Sequence, residues 1–141
     1  MSDTKLDVLK RVPLFSHCSP SSLALVAART DETEVEAGRT LIKQGQPGDS
    51  FYVLLDGEAD VLVDGRQRRT MHKGDFFGEI SMLDRGPATA TVTVKTPARV
   101  MVMSHAQFRD AIKGNQELLV QVMAAVAERL RADSTQRLTQ D

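Results

Sequence analysis

Tryptophan is missing from this chain of 141 residues, and one tyrosine and five phenylalanines are its whole aromatic complement. So thin a supply argues against the row of stacking rings on which single-stranded nucleic acids are held. Cysteine occurs once, as Cys18. A lone thiol forms no internal disulfide and no cysteine-type zinc site, and it fits a reducing, cytoplasmic setting. Charge of one sign is also missing, since 18 basic and 19 acidic residues leave a net charge of -1. No global basic field exists to hold nucleic acid or an anionic membrane. No apolar run approaches the roughly 20 residues of a membrane span, and the polar opening Met1–Lys5 leads into no signal-peptide core. No membrane association is expected. Catalytic signatures are absent too: there is no Gly-x-Ser-x-Gly, no Walker pattern and no paired carboxylate motif. His17, His72 and His105 each stand alone near a turn or an element end, so no metal site and no enzyme are expected. Cys18 beside His17 could suggest a thiolate nucleophile, but a small half-buried residue before a helix cap is the commoner case.

What remains is the composition of a globular domain, 41% apolar and 26% charged. Leu6, Val8, Leu9 and Val12 cluster at helical spacing until Pro13. Ser19-Pro20 starts a second helix, with Ser19 as cap and Pro20 at the first helical position. Leu23, Leu25, Val26 and Ala27 would bury one face of it. From Thr30 the period shortens. Short alternating runs are broken by turn clusters at Gly45–Asp49, Asp56-Gly57, Asp64-Gly65 and Lys73-Gly74, and Asp64-Gly65 is a strong hairpin signal. Such spacing predicts a barrel, sandwich or jelly roll. Helical grammar returns with the capping box Ser104/Gln107, then Gly114 as a stop and Asn115 as a new cap. Leu118, Leu119, Val122, Met123, Val126 and Leu130 form a wide apolar stripe, broadened by Ala124, Ala125 and Ala127. Its plain role is to cover the β unit, and part of it could meet a partner or a second copy in a homodimer. One domain over residues 1–133 and a polar tail over 134–141 are expected.

The stretch GDFFGEISMLDRGPATATV, Gly74 to Val92, is a poor ordinary hairpin. Gly78-Glu79 opening a short helical turn offers backbone N–H groups to an anion. Glu79 is suited to accept from hydroxyls, as an acidic residue does with a ribose. Thr89 could add a donor. Donors for an anion beside a hydroxyl acceptor suggest a sugar phosphate; the alternative is that Glu79 caps its own helical turn.

FGEISMLDRGPATATV resembles the phosphate-binding cassette of the cyclic nucleotide-binding domain family, which includes regulatory subunits of cyclic-AMP-dependent protein kinase and bacterial catabolite activators. VPLFSHCSPSSLALVA and GRTLIKQGQPGDSFYVLLDGEADV are similar to its leading segment and its glycine pattern, with Gly38, Gly45, Gly48-Asp49, Tyr52 and Gly57. The resemblance runs from about Leu6 to Leu130. It implies an α+β fold, an eight-stranded antiparallel β-roll of jelly-roll type flanked by N-terminal and C-terminal helices, with a pocket inside the roll. It further implies that Glu79 takes the ribose 2′-hydroxyl, that Gly78 lets the sugar approach, that the Ile80-Ser81 segment faces the phosphate through the Ser81 N–H, and that Thr89 touches the phosphate.

One departure matters. The family's phosphate-binding arginine follows the proline directly, and here Pro87 is followed by Ala88. Losing one partner of a buried charge-assisted contact costs about 2–5 kcal/mol. Arg85 could reach the same anion from the turn, or be a solvated turn residue. The expectation is a non-catalytic sensor or adaptor for cAMP or cGMP, without other cofactor, acting on an effector protein in trans. A ligand-free interaction scaffold is the alternative. Val126, Arg129 and Leu130 are candidates for a lid. The chain ends soon after Leu130, at Asp141, so no DNA-reading helix and no direct DNA binding are expected.

Overall fold

The computed structural model of the chain describes residues 5–139, with side-chain surroundings as far as residue 132. Most of the polar opening, residues 1–4, and the last residues of the expected tail, 140–141, lie outside the described residues. The chain divides into two compact units, Arg29–Asp110 and a helical unit of Met1–Ala28 with Ala111–Asp141.

The first unit holds eight strands among the described residues: β1 (Asp31–Val35), β2 (Thr40–Ile42), β3 (Ser50–Asp56), β4 (Ala59–Val63), β5 (Arg66–Met71), β6 (Phe76–Phe77), β7 (Thr91–Val94) and β8 (Ala98–Ser104). They form two four-stranded sheets, ordered β1-β8-β3-β6 and β2-β7-β4-β5, with every named pair antiparallel. This is the expected β-roll. Asp64 and Gly65 join β4 to β5 at φ 54 and 78. Two consecutive positive values match the right-handed twist of the strands they connect, which is why Asp-Gly serves there. Both sheets supply the core. Leu54, Ala59, Val94 and Val100 are essentially buried, packed with Met71, Phe77 and Val92. Each such large apolar side chain contributes about 1.5–3 kcal/mol by leaving water. Tyr52 and Phe77 stack across β3 and β6, 5.1 Å between ring centres.

Between β6 and β7 lies a six-residue helix, α3 (Glu79–Asp84) in order after α1 (Lys5–Lys10) and α2 (Pro20–Ala27). α4 (His105–Ile112) follows β8 directly. The capping box closes it as expected: Gln107 N–H donates to Ser104 Oγ at 3.1 Å, and Ser104 N–H donates to Gln107 Oε1 at 2.8 Å. Gln107 Nε2 also donates to Asp31 on β1 at 2.9 Å.

In the helical unit, Ser19 Oγ accepts from the Ser22 N–H at 3.2 Å and Pro20 opens α2. A 3₁₀ turn at Pro13–Phe15, not anticipated, buries Leu14 and Phe15. Asn115 Oδ1 caps α5 (Gln116–Thr139) by accepting from Leu118 N–H at 3.2 Å. α5 therefore runs through residues 134–139, where the sequence predicts a tail. Two packing expectations need correction. Leu25 is 37% exposed rather than buried. The α5 stripe is split: Leu118, Val122 and Ala125 are buried, while Leu119, Met123 and Leu130 are 39%, 59% and 62% exposed; Val120, outside the stripe, is 63% exposed. One helix face seals against one neighbour, so a stripe this wide leaves half its width uncovered. No helix is long and apolar enough to cross a membrane, among the described residues.

Candidate functional site

The stretch from Gly78 to Thr89 is held largely by backbone geometry, with the Asp84 carboxylate accepting from the Gly86 N–H at 2.7 Å. Gly78 caps α3 at φ 84. A Cβ there would collide with the Ser50 carbonyl oxygen and fall 2.9 Å from Ile42 Cδ1. Only glycine lets the chain pass so close to β2 and β3 in this conformation. Glu79 is therefore set at the first position of α3, half-buried, and Ile80 beside it is 45% exposed. Ser81 turns inward: its hydroxyl donates to the Gly86 carbonyl at 3.2 Å, and a Cβ on Gly48 would lie 2.8 Å from Ser81 Cβ.

The turn after α3 is laced to the loop between β2 and β3. Gly48 N–H donates to Gly86 O at 3.0 Å, Gly45 N–H to Ala88 O at 2.8 Å, and Ala88 N–H to Gln46 O at 2.9 Å. Pro47 and Pro87 face one another within this ladder, neither having an N–H to give. Both backbone groups of Ala88 are thus committed, and its methyl brings no charge. Arg85 sits at φ 58 as the C-cap of α3, its N–H donating to Ser81 O at 2.7 Å. The Arg85 side chain is exposed, and so is Thr89.

The role of Gly45–Asp49 in holding this turn was not legible as more than a turn cluster, because its partners, Gly86 and Ala88, lie far along the chain. A cavity of about 150 Å³ opens beside the lacing, lined by Ile42, Gln46, Gly48, Ser50 and Tyr52. Burial pushes the Tyr52 hydroxyl above its usual range, with Asp49 adding to the effect. A larger cleft of about 830 Å³ lies elsewhere, among Glu34, Glu36, Asp56, Lys73 and Arg99, and includes none of the expected ligand residues.

The ring of each histidine, solitary in the sequence, has a single partner in space among the described residues, and His17 and His72 are exposed. His17 Nε2 meets Glu128 Oε2 at 2.5 Å, His72 Nδ1 lies 3.2 Å from Glu58 Oε2, and half-buried His105 Nδ1 lies 2.7 Å from the Met82 carbonyl. Each partner is distant in sequence, so isolation in the sequence says nothing of isolation in space. Among the described residues no cluster of histidine, cysteine or carboxylates could hold a metal. Cys18 is half-buried, and burial pushes its thiol up to about 11, which disfavours a reactive thiolate. Val126 on α5 is half-buried, and Arg129 and Leu130 are exposed.

The profile of the cyclic nucleotide-binding domain matches residues 32–115, from β1 to the start of α5. The chain belongs to that family. Within the family it is 37% identical over 103 residues to a cAMP-dependent protein kinase regulatory subunit of Emericella nidulans, a match covering 72% of this chain and 25% of that protein. It is 30% identical over 130 residues to a CRP-like cAMP-activated global transcriptional regulator of Mycobacterium tuberculosis, covering 89% of this chain and 58% of the regulator. The match thus spans a quarter to little over half the length of these relatives. Among solved structures, the N-terminal domain of a transcriptional regulator from Streptomyces coelicolor superposes with a TM-score of 0.81 at 32% identity, over 90% of this chain and 94% of that one.

Proposed function

We propose that this chain is a non-catalytic regulatory module that binds a cyclic nucleotide at the α3 turn and passes the signal to a partner protein in trans. The observation that carries the proposal is Gly78, left without room for a side chain against Ser50 and Ile42, with Glu79 directly after it. A fold that needed only a helical turn would not bring the backbone this close. The relatives' names, a cAMP-dependent kinase regulatory subunit and a cAMP-activated regulator, support cAMP or a near analogue as ligand and regulation as the output. In this reading Glu79 accepts from the ribose hydroxyl, Ser81 and Thr89 face the phosphate, and Arg85 is the nearest guanidinium in sequence to the vacant arginine position. Val126, Arg129 and Leu130 are kept as the lid. The exposed Leu119, Val120, Met123 and Leu130 of α5 support a contact with a partner helix or a second copy.

A second reading rests on Ala88. Its backbone N–H and carbonyl are both spent on the Gln46 and Gly45 lacing, and its side chain is a methyl. A scaffold that has given up its ligand would look the same there. Calorimetry on the wild type and on Ala88→Arg separates the two. In the ligand-binding reading, Ala88→Arg adds a charge-assisted phosphate contact and tightens cyclic nucleotide binding by about 2 kcal/mol, roughly thirtyfold. If neither protein binds, the scaffold reading stands in its place.

A further inference from the structure

Two of the strands that end the sheets carry opposite charge. β1 ends the sheet β1-β8-β3-β6, and β5 ends the sheet β2-β7-β4-β5. Each pairs along one side only, β1 with β8 and β5 with β4, so along its other side the backbone N–H and C=O groups meet no strand. The other two sheet ends are short, with two residues in β6 and three in β2. β1 and the residue after it read Asp31-Glu32-Thr33-Glu34-Val35-Glu36, and β5 begins Arg66-Gln67-Arg68-Arg69. All of these except Val35 are exposed.

Neither set of charges is neutralised locally. Among the described residues, no carboxylate lies within ion-pair distance of Arg66 or Arg68, and no cation lies within that distance of Glu32, Glu34 or Glu36. Val35 is buried in the core, so alternation puts Glu32, Glu34 and Glu36 together on the other side of the chain. Glu34 and Glu36 also line the cleft of about 830 Å³, where with Asp56 they outnumber Lys73 and Arg99. Charge on an edge strand is the usual guard against edge-to-edge pairing. The guard works between like edges, since two β1 strands repel and so do two β5 strands. Between β1 and β5 it becomes an attraction.

We propose that β1 of one copy of this chain pairs with β5 of a second copy. The two backbones extend a ladder across the contact, and the carboxylates of Glu32, Glu34 and Glu36 face Arg66 and Arg68 of the second copy. The paired surfaces differ, so the contact is head-to-tail, and each added copy offers a further edge at either end. Strands of five and six residues bury little area, which makes this a transient, electrostatic contact rather than an obligate one. The register slip at Arg68 interrupts β5 and limits the length of the shared ladder. No cyclic nucleotide takes part, so the outcome is separate from whether the cassette binds one.

Sedimentation velocity on the whole chain without nucleotide tests this. From about 0.01 M to about 1 M salt the screening length falls from about 30 Å to about 3 Å. At low salt the wild type is expected to form species that grow with concentration, and at high salt these should dissolve. Glu32→Lys with Glu36→Lys makes both edges basic, and Arg66→Glu with Arg68→Glu makes both acidic. Each double variant alone should associate roughly tenfold or more weakly than the wild type at low salt. An equimolar mixture of the two should associate again, because every basic edge then meets an acidic one. All four positions are exposed, so melting temperatures near that of the wild type are expected. Should a reversal lower the melting temperature, glutamine at the same two positions replaces it, and that variant should still associate more weakly than the wild type. Wild-type sedimentation that does not respond to salt at any concentration up to about 1 mM overturns the proposal. So does association that survives both reversals, which would belong to the apolar residues of α5. A mixture of folded reversal variants that associates no more than either alone overturns it as well.

Discussion

Gly78 and Gly45 have nearly the same backbone conformation, φ 84 and 85, and different surroundings. Around Gly45 a Cβ would meet nothing within 4 Å, whereas at Gly78 it would strike the Ser50 carbonyl oxygen. Alanine at Gly45 therefore carries the left-handed backbone cost alone, about 1 kcal/mol. Alanine at Gly78 adds a collision with rigid backbone and is expected to cost about 3 kcal/mol or more and to disturb α3. Urea unfolding of the two variants checks the difference, and equal losses would mean that the close approach is not structural. Cys18 gives a pH-dependent prediction. Its thiol is raised from 9.0 to about 11 by burial, so the folded state holds its proton longer than the unfolded state does. The associated stability is intact below pH 9 and declines as pH rises through 11. Alkylation of Cys18 in native protein at pH 8 is expected to be slower than in urea-unfolded protein. A native rate equal to the unfolded one would place the thiol in an ordinary environment.

Caps and hairpins were legible because their physics is local. Ser19-Pro20, Asp64-Gly65, Ser104 with Gln107 and Asn115 all do in the structure what their spacing announces. Ser104→Ala should accordingly cost about 1 kcal/mol, read as a lower urea midpoint, since it frees the Gln107 N–H at the start of α4. Elements whose identity depends on distant partners were not legible. β6 is only Phe76–Phe77 and exists through its pairing with Tyr52 and Val53. Periodicity gave the direction of the α5 apolar face and not how much of it is covered. The uncovered part yields a prediction of its own. Met123→Glu with Val120→Glu should reduce any self-association seen by sedimentation velocity while leaving the melting temperature near that of the wild type, because both residues are already exposed. A fall in melting temperature with no change in sedimentation would instead mark this face as internal packing.

At the scale of the whole molecule, the roll, the turn after β6 and the family match agree, and the one departure is concentrated at Ala88. Strand spacing left a barrel, a sandwich and a jelly roll open, and the β-roll was legible only through the family resemblance carried by the glycines, the Gly78-Glu79 pair and Pro87. Ligand affinity was not legible, because it depends on how far backbone donors, Thr89 and a more distant guanidinium replace one missing charge. The direct measurement is a calorimetric titration of the purified chain with cGMP and cAMP, beside Glu79→Ala. The account predicts saturable one-site binding of at least one nucleotide to the wild type. In Glu79→Ala that binding should be weaker by roughly tenfold or more, as the ribose hydroxyl loses its charged acceptor. Binding unaffected by Glu79→Ala, or no binding to the wild type at all, would contradict it.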